Sequence, residues 1–320
     1  MERHCLLDIQ NLSVCYPGGE GVLHNVSLLM YPGEIVCVIG ESGSGKSTLL
    51  NAVLRMPGRV DITSGSVLYR GENIMTYAPE KLRQIRGAGI GMVFQEPGAS
   101  LDPIRKIGTQ LYETMRAHEK ITKKQALNEA EQLFPRLNLP DAKRILQSCP
   151  VQLSGGMNQR VAIAIAMALH PDVLLADEPT SALDVTVQVQ IVDELLRLRD
   201  EFGTGILLVT HNIGVVAKMA DKVAVMYSGR VVEFGCRDSV LKAPAHPYTR
   251  ALISAIPKLD GTPPVGVPGR KPERFCYEGC AFAPRCQHAT AECRTKVLLP
   301  ITIKDEHWTL CRSGYEGGEA

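Results

Sequence analysis

Gly40-Glu-Ser-Gly-Ser-Gly45-Lys46-Ser47-Thr48 is the stretch on which the reading of this chain turns. It fits the pattern G-x-x-x-x-G-K-S. Both flanks that the pattern requires are present: the apolar strand Glu34–Ile39 before it and an apolar helix predicted over Leu49–Leu54 after it. Gly40, Gly43 and Gly45 let the main chain wrap tightly. Its N–H groups and the following helix N-terminus, with Ser42 and Thr48, then face phosphate oxygens. Lys46 is predicted to hold the β and γ phosphates and Ser47 to ligate Mg²⁺.

Further along, Asp172-Val-Leu-Leu-Ala-Asp177-Glu178-Pro179 closes a second apolar strand with two carboxylates. Asp177 is placed to orient Mg²⁺ through its coordinated water. Glu178 is placed to polarise the attacking water as a general base. From Leu6 to Val240, short apolar strands such as Val173–Ala176 and Gly205–Val209 alternate with helix-length periodic segments, which predicts an α/β fold with a largely parallel sheet. Between about 97 and 168 helices predominate without a clear strand, and Lys120–Leu133 is polar with apolar residues at helical spacing, so this part reads as a helical subdomain. After Val240 the prolines 244, 247, 257, 263, 264, 268 and 272 break any long element. The predicted division is therefore a nucleotide-binding cassette over 1–240 and a Pro-rich linker with a Cys-rich metal-binding tail over 241–320.

Thirty-five basic residues against 34 acidic ones, net +1, give no electrostatic case for nucleic-acid binding. The longest apolar run, Val161–Leu169, is far shorter than the roughly 20 residues that cross a bilayer. The opening MERHCLLDIQ has no apolar h-region, so a cytosolic chain is expected. Five of the ten cysteines, Cys276, Cys280, Cys286, Cys293 and Cys311, crowd the last 45 residues. In a reducing cytosol such a cluster reads as metal ligands rather than disulfides.

The class is narrowed by Leu153-Ser154-Gly155-Gly156-Met157-Asn158-Gln159-Arg160, which opens the next helix. Here the chain resembles the ATP-binding cassette (ABC) family. That resemblance implies that Ser154, Gly155 and Gly156 present themselves to the γ-phosphate of an ATP held by a second subunit. It also implies roles for four further positions. Gln95 would be the loop glutamine that reaches Mg²⁺, the attacking water and a membrane partner, and Ser181-Ala-Leu-Asp184 the loop joining two ATPase subunits. His211 would be the switch histidine at the γ-phosphate, and Tyr16 the aromatic that stacks on adenine. Glu178, His211, Gln95 and Lys46 form the expected catalytic set. Asn212 departs from the Asp common after the switch histidine, which predicts a weakened loop contact.

Four more segments resemble the ATPases of dipeptide, oligopeptide and nickel importers: Gln95-Glu-Pro-Gly-Ala-Ser-Leu-Asp-Pro103, Ala224-Val-Met-Tyr-Ser-Gly-Arg-Val-Val-Glu233, His246-Pro-Tyr-Thr-Arg-Ala-Leu252 and Gly279-Cys-Ala-Phe-Ala-Pro-Arg-Cys286. The resemblance implies a second homologous ATPase subunit in a heterodimer, two membrane permeases, an extracytoplasmic binding protein and a peripheral place on the cytoplasmic face of the membrane. Peptides are the favoured cargo, with nickel or a metal chelate as the alternative. A soluble ABC ATPase of DNA repair or translation is a further alternative, but it would need a long coiled-coil insertion or two cassettes in one chain. In the resembling family, Cys280, Cys286, Cys293 and Cys311 can hold a four-iron, four-sulfur cluster. A structural Zn²⁺ accepts four thiolates equally well, so both remain open, with Cys276 as a spare candidate. The tail reads as too small for a substantial core and dependent on metal for its fold; because it lies outside every nucleotide motif, its loss is expected to impair assembly or regulation more than the intrinsic ATPase chemistry.

Overall fold

The computed structural model describes residues 4–96, 100–181, 183–257, 263–269, 279–304 and 306–312. Its strands in chain order are β1 (Leu7–Cys15), β2 (Gly21–Met30), β3 (Ile35–Ile39), β4 (Asp61–Tyr69), β5 (Glu72–Asn73), β6 (Ile90–Val93), β7 (Val173–Asp177), β8 (Gly205–Val209), β9 (Lys222–Tyr227), β10 (Arg230–Cys236), β11 (Ile301–Lys304) and β12 (His307–Thr309). The helices are α1 (Lys46–Val53), α2 (Pro79–Ala88), α3 (Ile107–Arg116), α4 (Lys123–Leu133), α5 (Ala142–Gln147), α6 (Gly155–Met167), α7 (Val185–Phe202), α8 (Ile213–Met219), α9 (Arg237–Lys242), α10 (Pro247–Ser254) and α11 (Glu292–Thr295). They gather into two compact units interleaved in sequence. The first holds the described parts of Met1–Asp8, Leu29–Ile35 and Ser66–Thr210; the second holds those of Ile9–Leu28, Val36–Gly65 and His211–Ala320.

In the first unit β6, β7 and β8 run parallel, with Ile90 opposite Val173 and Asp177 opposite Val209. Val173-Leu-Leu-Ala-Asp177 and Gly205-Ile-Leu-Leu-Val209 are buried at every position, as strands covered on both faces must be, and this is why they read as unbroken apolar runs. Between β6 and β7 the described elements are helical, α3 to α6. Two of these helices begin elsewhere than the apolar spacing suggests, because side-chain caps set their starts. Thr122 and Gln125 form a reciprocal capping box, so α4 starts at Lys123. Ser154 accepts from the Met157 N–H, so α6 starts at Gly155, six residues ahead of the apolar run at Val161.

In the second unit β3 pairs parallel with β9, β9 antiparallel with β10, β10 with β12 and β12 with β11. The tail has more of a core than its length suggests. Phe282 is buried against Tyr227 and Tyr248, with ring centroids 5.3 and 5.4 Å away, and Trp308 lies 6.0 Å from Phe234. These aromatic contacts supply apolar burial from β9, β10 and α10 to a segment expected to lack a substantial core.

Glu233 of β10, fully buried, fastens the tail. Its carboxylate accepts from the main-chain N–H groups of Ala245 and His246 and meets His307 Nε2, each at 2.8 Å. Burial pushes its pKa up, but hydrogen bonds from His307, Ala245, Thr249 and His246 hold it below the usual carboxylate range. His246 caps α10 by accepting from the Tyr248 N–H at Nδ1, while its buried Nε2 finds no partner among the described residues. Burial lowers its pKa to about 4. Between that value and about 6.5 the unfolded chain binds a proton that the folded chain refuses, so stability present above pH 6.5 is lost as pH falls toward 4. The loss is expected to reach roughly 3 kcal/mol. His246→Asn keeps the cap without the titration and should flatten the thermal-melting curve against pH in this window; an unchanged profile would remove His246 from the account.

Candidate functional site

The phosphate-loop residues lie in the second unit. Gly40 has φ 153°, and a Cβ there would sit 2.2 Å from the Met226 carbonyl oxygen. At Gly45, φ 99°, a Cβ would meet Leu23 Cδ2 at 2.6 Å. Neither position admits a side chain, which is the physical content of the glycine pattern. Gly45 is the N-cap of α1, so Lys46 and Ser47 stand in the first helical turn, earlier than the apolar run Leu49–Leu54 indicates. Ser42, Gly43 and Ser47 are exposed, whereas Ser44, Lys46 and Thr48 are buried. The Lys46 ammonium is held inside the loop, donating to the carbonyls of Gly40 at 2.9 Å and Glu41 at 3.0 Å. Ser44 Oγ is buried with no hydrogen-bond partner among the described residues. An orphaned hydroxyl beside a buried ammonium and a helix N-terminus fits a phosphate group. Tyr16, half-exposed, places its hydroxyl 3.2 Å from Thr48 Oγ1, so the ring expected to stack on a base stands at the end of the loop.

His211 is exposed and follows Thr210 directly. Asn212, the departure noted in the sequence, is the N-cap of α8: its Oδ1 accepts from Gly214 N–H at 2.9 Å and Val215 N–H at 3.4 Å. Asn caps about as well as Asp, so the start of α8 loses little by the exchange.

In the first unit Asp177 ends β7 in a buried position, and Glu178 follows at φ 43°, its N–H donating to the Val209 carbonyl. A left-handed conformation in a non-glycine residue is a strained one and clusters at functional sites. Gln95 Nε2 donates to Glu178 Oε2 at 3.4 Å, bringing together two residues 83 positions apart, one expected to act on the attacking water from its place after an apolar strand and the other from the family resemblance.

Of the segment Leu153–Arg160, Ser154 is the N-cap of α6 and Gly155 and Gly156 begin its first turn. A Cβ on Gly155 would point into open space, and one on Gly156 would press on Val187 Cγ1 at 3.1 Å. The anchor of this helix escapes sequence reading. Arg160 Nε bonds both oxygens of Glu194 at 3.0 and 3.1 Å, Arg160 Nη2 bonds Gln190 at 2.7 Å, and Asn138 Nδ2 adds a bond to Glu194 at 2.7 Å. Burial raises the Glu194 pKa against the pull of Asn138 and Arg160. α6 is thereby tied to α7, whose N-cap is Asp184.

Cys280, Cys286, Cys293 and Cys311 all belong to the second unit. Burial, together with the charges of the other three thiols, pushes Cys280 up to about 11, and Cys286 is raised by burial and then by Cys311 and Cys293. Sulfur donors are the type that iron or zinc accepts, but ligation would require these thiols to lose their protons. Among the described residues, no three His, Cys, Asp or Glu side chains are spaced to hold a metal ion. Cys276 lies outside the described residues. Although the tail lies outside every nucleotide motif in the sequence, its Arg285 and Tyr248 both bond Glu41, the second residue of the phosphate loop.

Two family models match this chain: ABC transporter over residues 23–181, and oligopeptide/dipeptide transporter, C-terminal region, over residues 232–293. A Brucella abortus protein named for ATP binding in peptide import is 40% identical, covering 97% of this chain and 98% of its own length. The oligopeptide transport ATP-binding protein OppD of Haemophilus influenzae is 40% identical over 90% of this chain and 91% of its own. Among solved structures, cbiO1 of Clostridium perfringens, part of an ABC transporter complex, matches with TM-score 0.65 at 27% identity, over 75% of this chain and 91% of that one. The ATP-binding cassette MJ0796, solved as a dimer after hydrolysis with ADP and phosphate, matches with TM-score 0.64 at 30% identity, over 72% of this chain and 99% of that one.

Proposed function

The chain belongs to the ATP-binding subunits of ABC transporters, on the branch that carries the oligopeptide/dipeptide C-terminal region, and from that premise we propose that it powers uptake of short peptides by binding and hydrolysing ATP. The observation that carries the peptide reading is the C-terminal match over residues 232–293, which takes in Glu233, Tyr248 and Arg285.

In this reading Gly40, Ser42, Gly43, Gly45, Lys46, Ser47 and Thr48 bind the phosphates, and Tyr16 stacks on the base. Gln95 orients a water and Glu178 accepts its proton. The water oxygen bonds to the γ-phosphorus, the bond to the β–γ bridging oxygen breaks, and ADP leaves with that electron pair. Lys46 and His211 stabilise the charge that develops on the γ-phosphate oxygens. Ser47, Gln95 and Asp177 would hold Mg²⁺, which neutralises phosphate charge when bound. Ser154, Gly155 and Gly156 serve the ATP of a second homologous subunit, a heterodimer being the form we favour. Two permeases and an extracytoplasmic binding protein complete the assembly at the cytoplasmic face of the membrane. No helix among the described residues is long and apolar enough to cross a membrane. The cassette is assigned to 1–240, with its helical subdomain at about 97–168, and the Cys-rich domain to 241–320. In that domain Cys280, Cys286, Cys293 and Cys311 would hold a four-iron, four-sulfur cluster, a reading supported by their spacing in the sequence, which lacks the paired C-x-x-C knuckles usual for zinc.

Cells whose chromosomal copy carries Lys46→Ala should lose uptake of labelled di- to hexapeptides by at least about tenfold and keep uptake of free amino acids. Retained peptide uptake with lost nickel uptake would overturn the peptide assignment. Protein purified anaerobically should contain about four iron atoms per chain, and stoichiometric zinc without visible absorption would replace the cluster with a structural ion.

A further inference from the structure

Glu41 stands between Gly40 and Ser42 of the phosphate loop, and in this structure it is held from three sides. Its carbonyl accepts from Lys46, its N–H donates to the buried hydroxyl of Tyr248 at 2.9 Å, and its carboxylate receives a two-pronged bond from Arg285, Nη1 to Oε2 at 2.8 Å and Nη2 to Oε1 at 3.2 Å. Arg285 has five N–H donors, and five acceptors surround them. Nε donates to the Pro268 carbonyl at 2.7 Å, Nη1 reaches Tyr227 Oη at 3.4 Å, Nη2 reaches the Val267 carbonyl at 3.4 Å, and the Glu41 carboxylate takes the remaining two. The Arg285 side chain is only 4% exposed. A guanidinium so completely satisfied can occupy one geometry, and it imposes that geometry on the carboxylate it grips.

We propose that Arg285 and Tyr248 are positioning residues of the ATP site: the tail fixes Glu41 by side chain and main chain, and so holds the phosphate loop in its anion-ready form before nucleotide arrives. A loop of glycines and serines otherwise loses much conformational freedom on closing round a phosphate, and that loss is charged against affinity. With the loop already ordered, the charge is met in folding. The tail thereby sets the affinity for ATP and leaves the bond-breaking step to the groups that touch the water and phosphate. This inference rests on the phosphate-loop reading, which ATP binding by the unmodified chain tests separately.

The clean variant is Tyr248→Phe, which keeps the ring packed on Tyr227 and Phe282 and leaves the Glu41 N–H without its acceptor. Binding of a fluorescent ATP analogue to the full chain should weaken about tenfold, an order set by one buried hydrogen bond. In the assembled transporter KM for ATP should rise in parallel while kcat stays within about twofold. Arg285→Ala should act similarly, and Arg285→Lys, which preserves charge without the fork, should recover less than half of the logarithmic loss. In a Glu41→Gln background, Arg285→Ala should add little, because its effect passes through that carboxylate. Should Arg285→Ala unfold the tail, as the melting curve would show, Tyr248→Phe decides. The proposal fails if Tyr248→Phe binds the analogue within about twofold of the unmodified chain, if kcat falls while KM is unchanged, or if Arg285→Ala keeps its full effect in the Glu41→Gln background, which would mark a long-range cation and not a positioning contact.

Discussion

Glu178→Gln is expected to lower ATP turnover at least about a hundredfold while nucleotide binding stays intact. The exchange is nearly isosteric, so the left-handed backbone at φ 43° and the N–H bond to Val209 survive it. What it removes is the one function an amide cannot perform, accepting a proton from water. Gln95 would then face another amide across its 3.4 Å contact, free to bond but with nothing basic to orient toward. Turnover should be measured in the assembled complex with the partner subunit's own site disabled, since an intact second site would mask the loss. A rate near that of the unmodified complex under those conditions would remove Glu178 from the chemistry.

Arg160→Ala is expected to destabilise the first unit by about 3–5 kcal/mol, the cost of abandoning one member of a buried ion pair. Glu194 has no exposed side-chain surface, and Arg160 has 10%. Without the guanidinium the carboxylate would keep its Asn138 bond and only the weaker pull of Arg197, in a site that already resists its charge. The double variant Arg160→Met/Glu194→Leu should recover most of the loss, because it abolishes the buried charges together. Urea denaturation distinguishes the cases. A single variant that costs under about 1 kcal/mol, or a double variant worse than either single, would show that the pair does not anchor α6 to α7.

The sequence disclosed what is local. The phosphate loop announces itself through spacing and flanks within a dozen residues, and buried parallel strands through unbroken apolar runs. Helix starts were less legible, because one hydroxyl decides them: Thr122 for α4 and Ser154 for α6, each ahead of the apolar period. Pairings across long separations left no local trace. Arg160 finds Glu194 34 positions on, and Glu41 is bonded by residues 207 and 244 positions away. The segments His246-Pro-Tyr-Thr and Ala283-Pro-Arg-Cys286 were conspicuous as family text, yet nothing in their composition says that they grip the phosphate loop.

Glu233 carries a consequence for how the protein is made. Its partner His307 is synthesised 74 residues later, and β12, which covers the edge of β10, comes from the same stretch. At common ribosomal rates that separation lasts about 4 to 15 s. Throughout it the nascent chain holds a strand edge with open main-chain groups, the feature through which sheets recruit a neighbouring molecule. On a crowded polysome the neighbour is an identical chain at the same stage, so slow translation between codons 233 and 307 would favour aggregation even though every residue of the finished protein is unchanged.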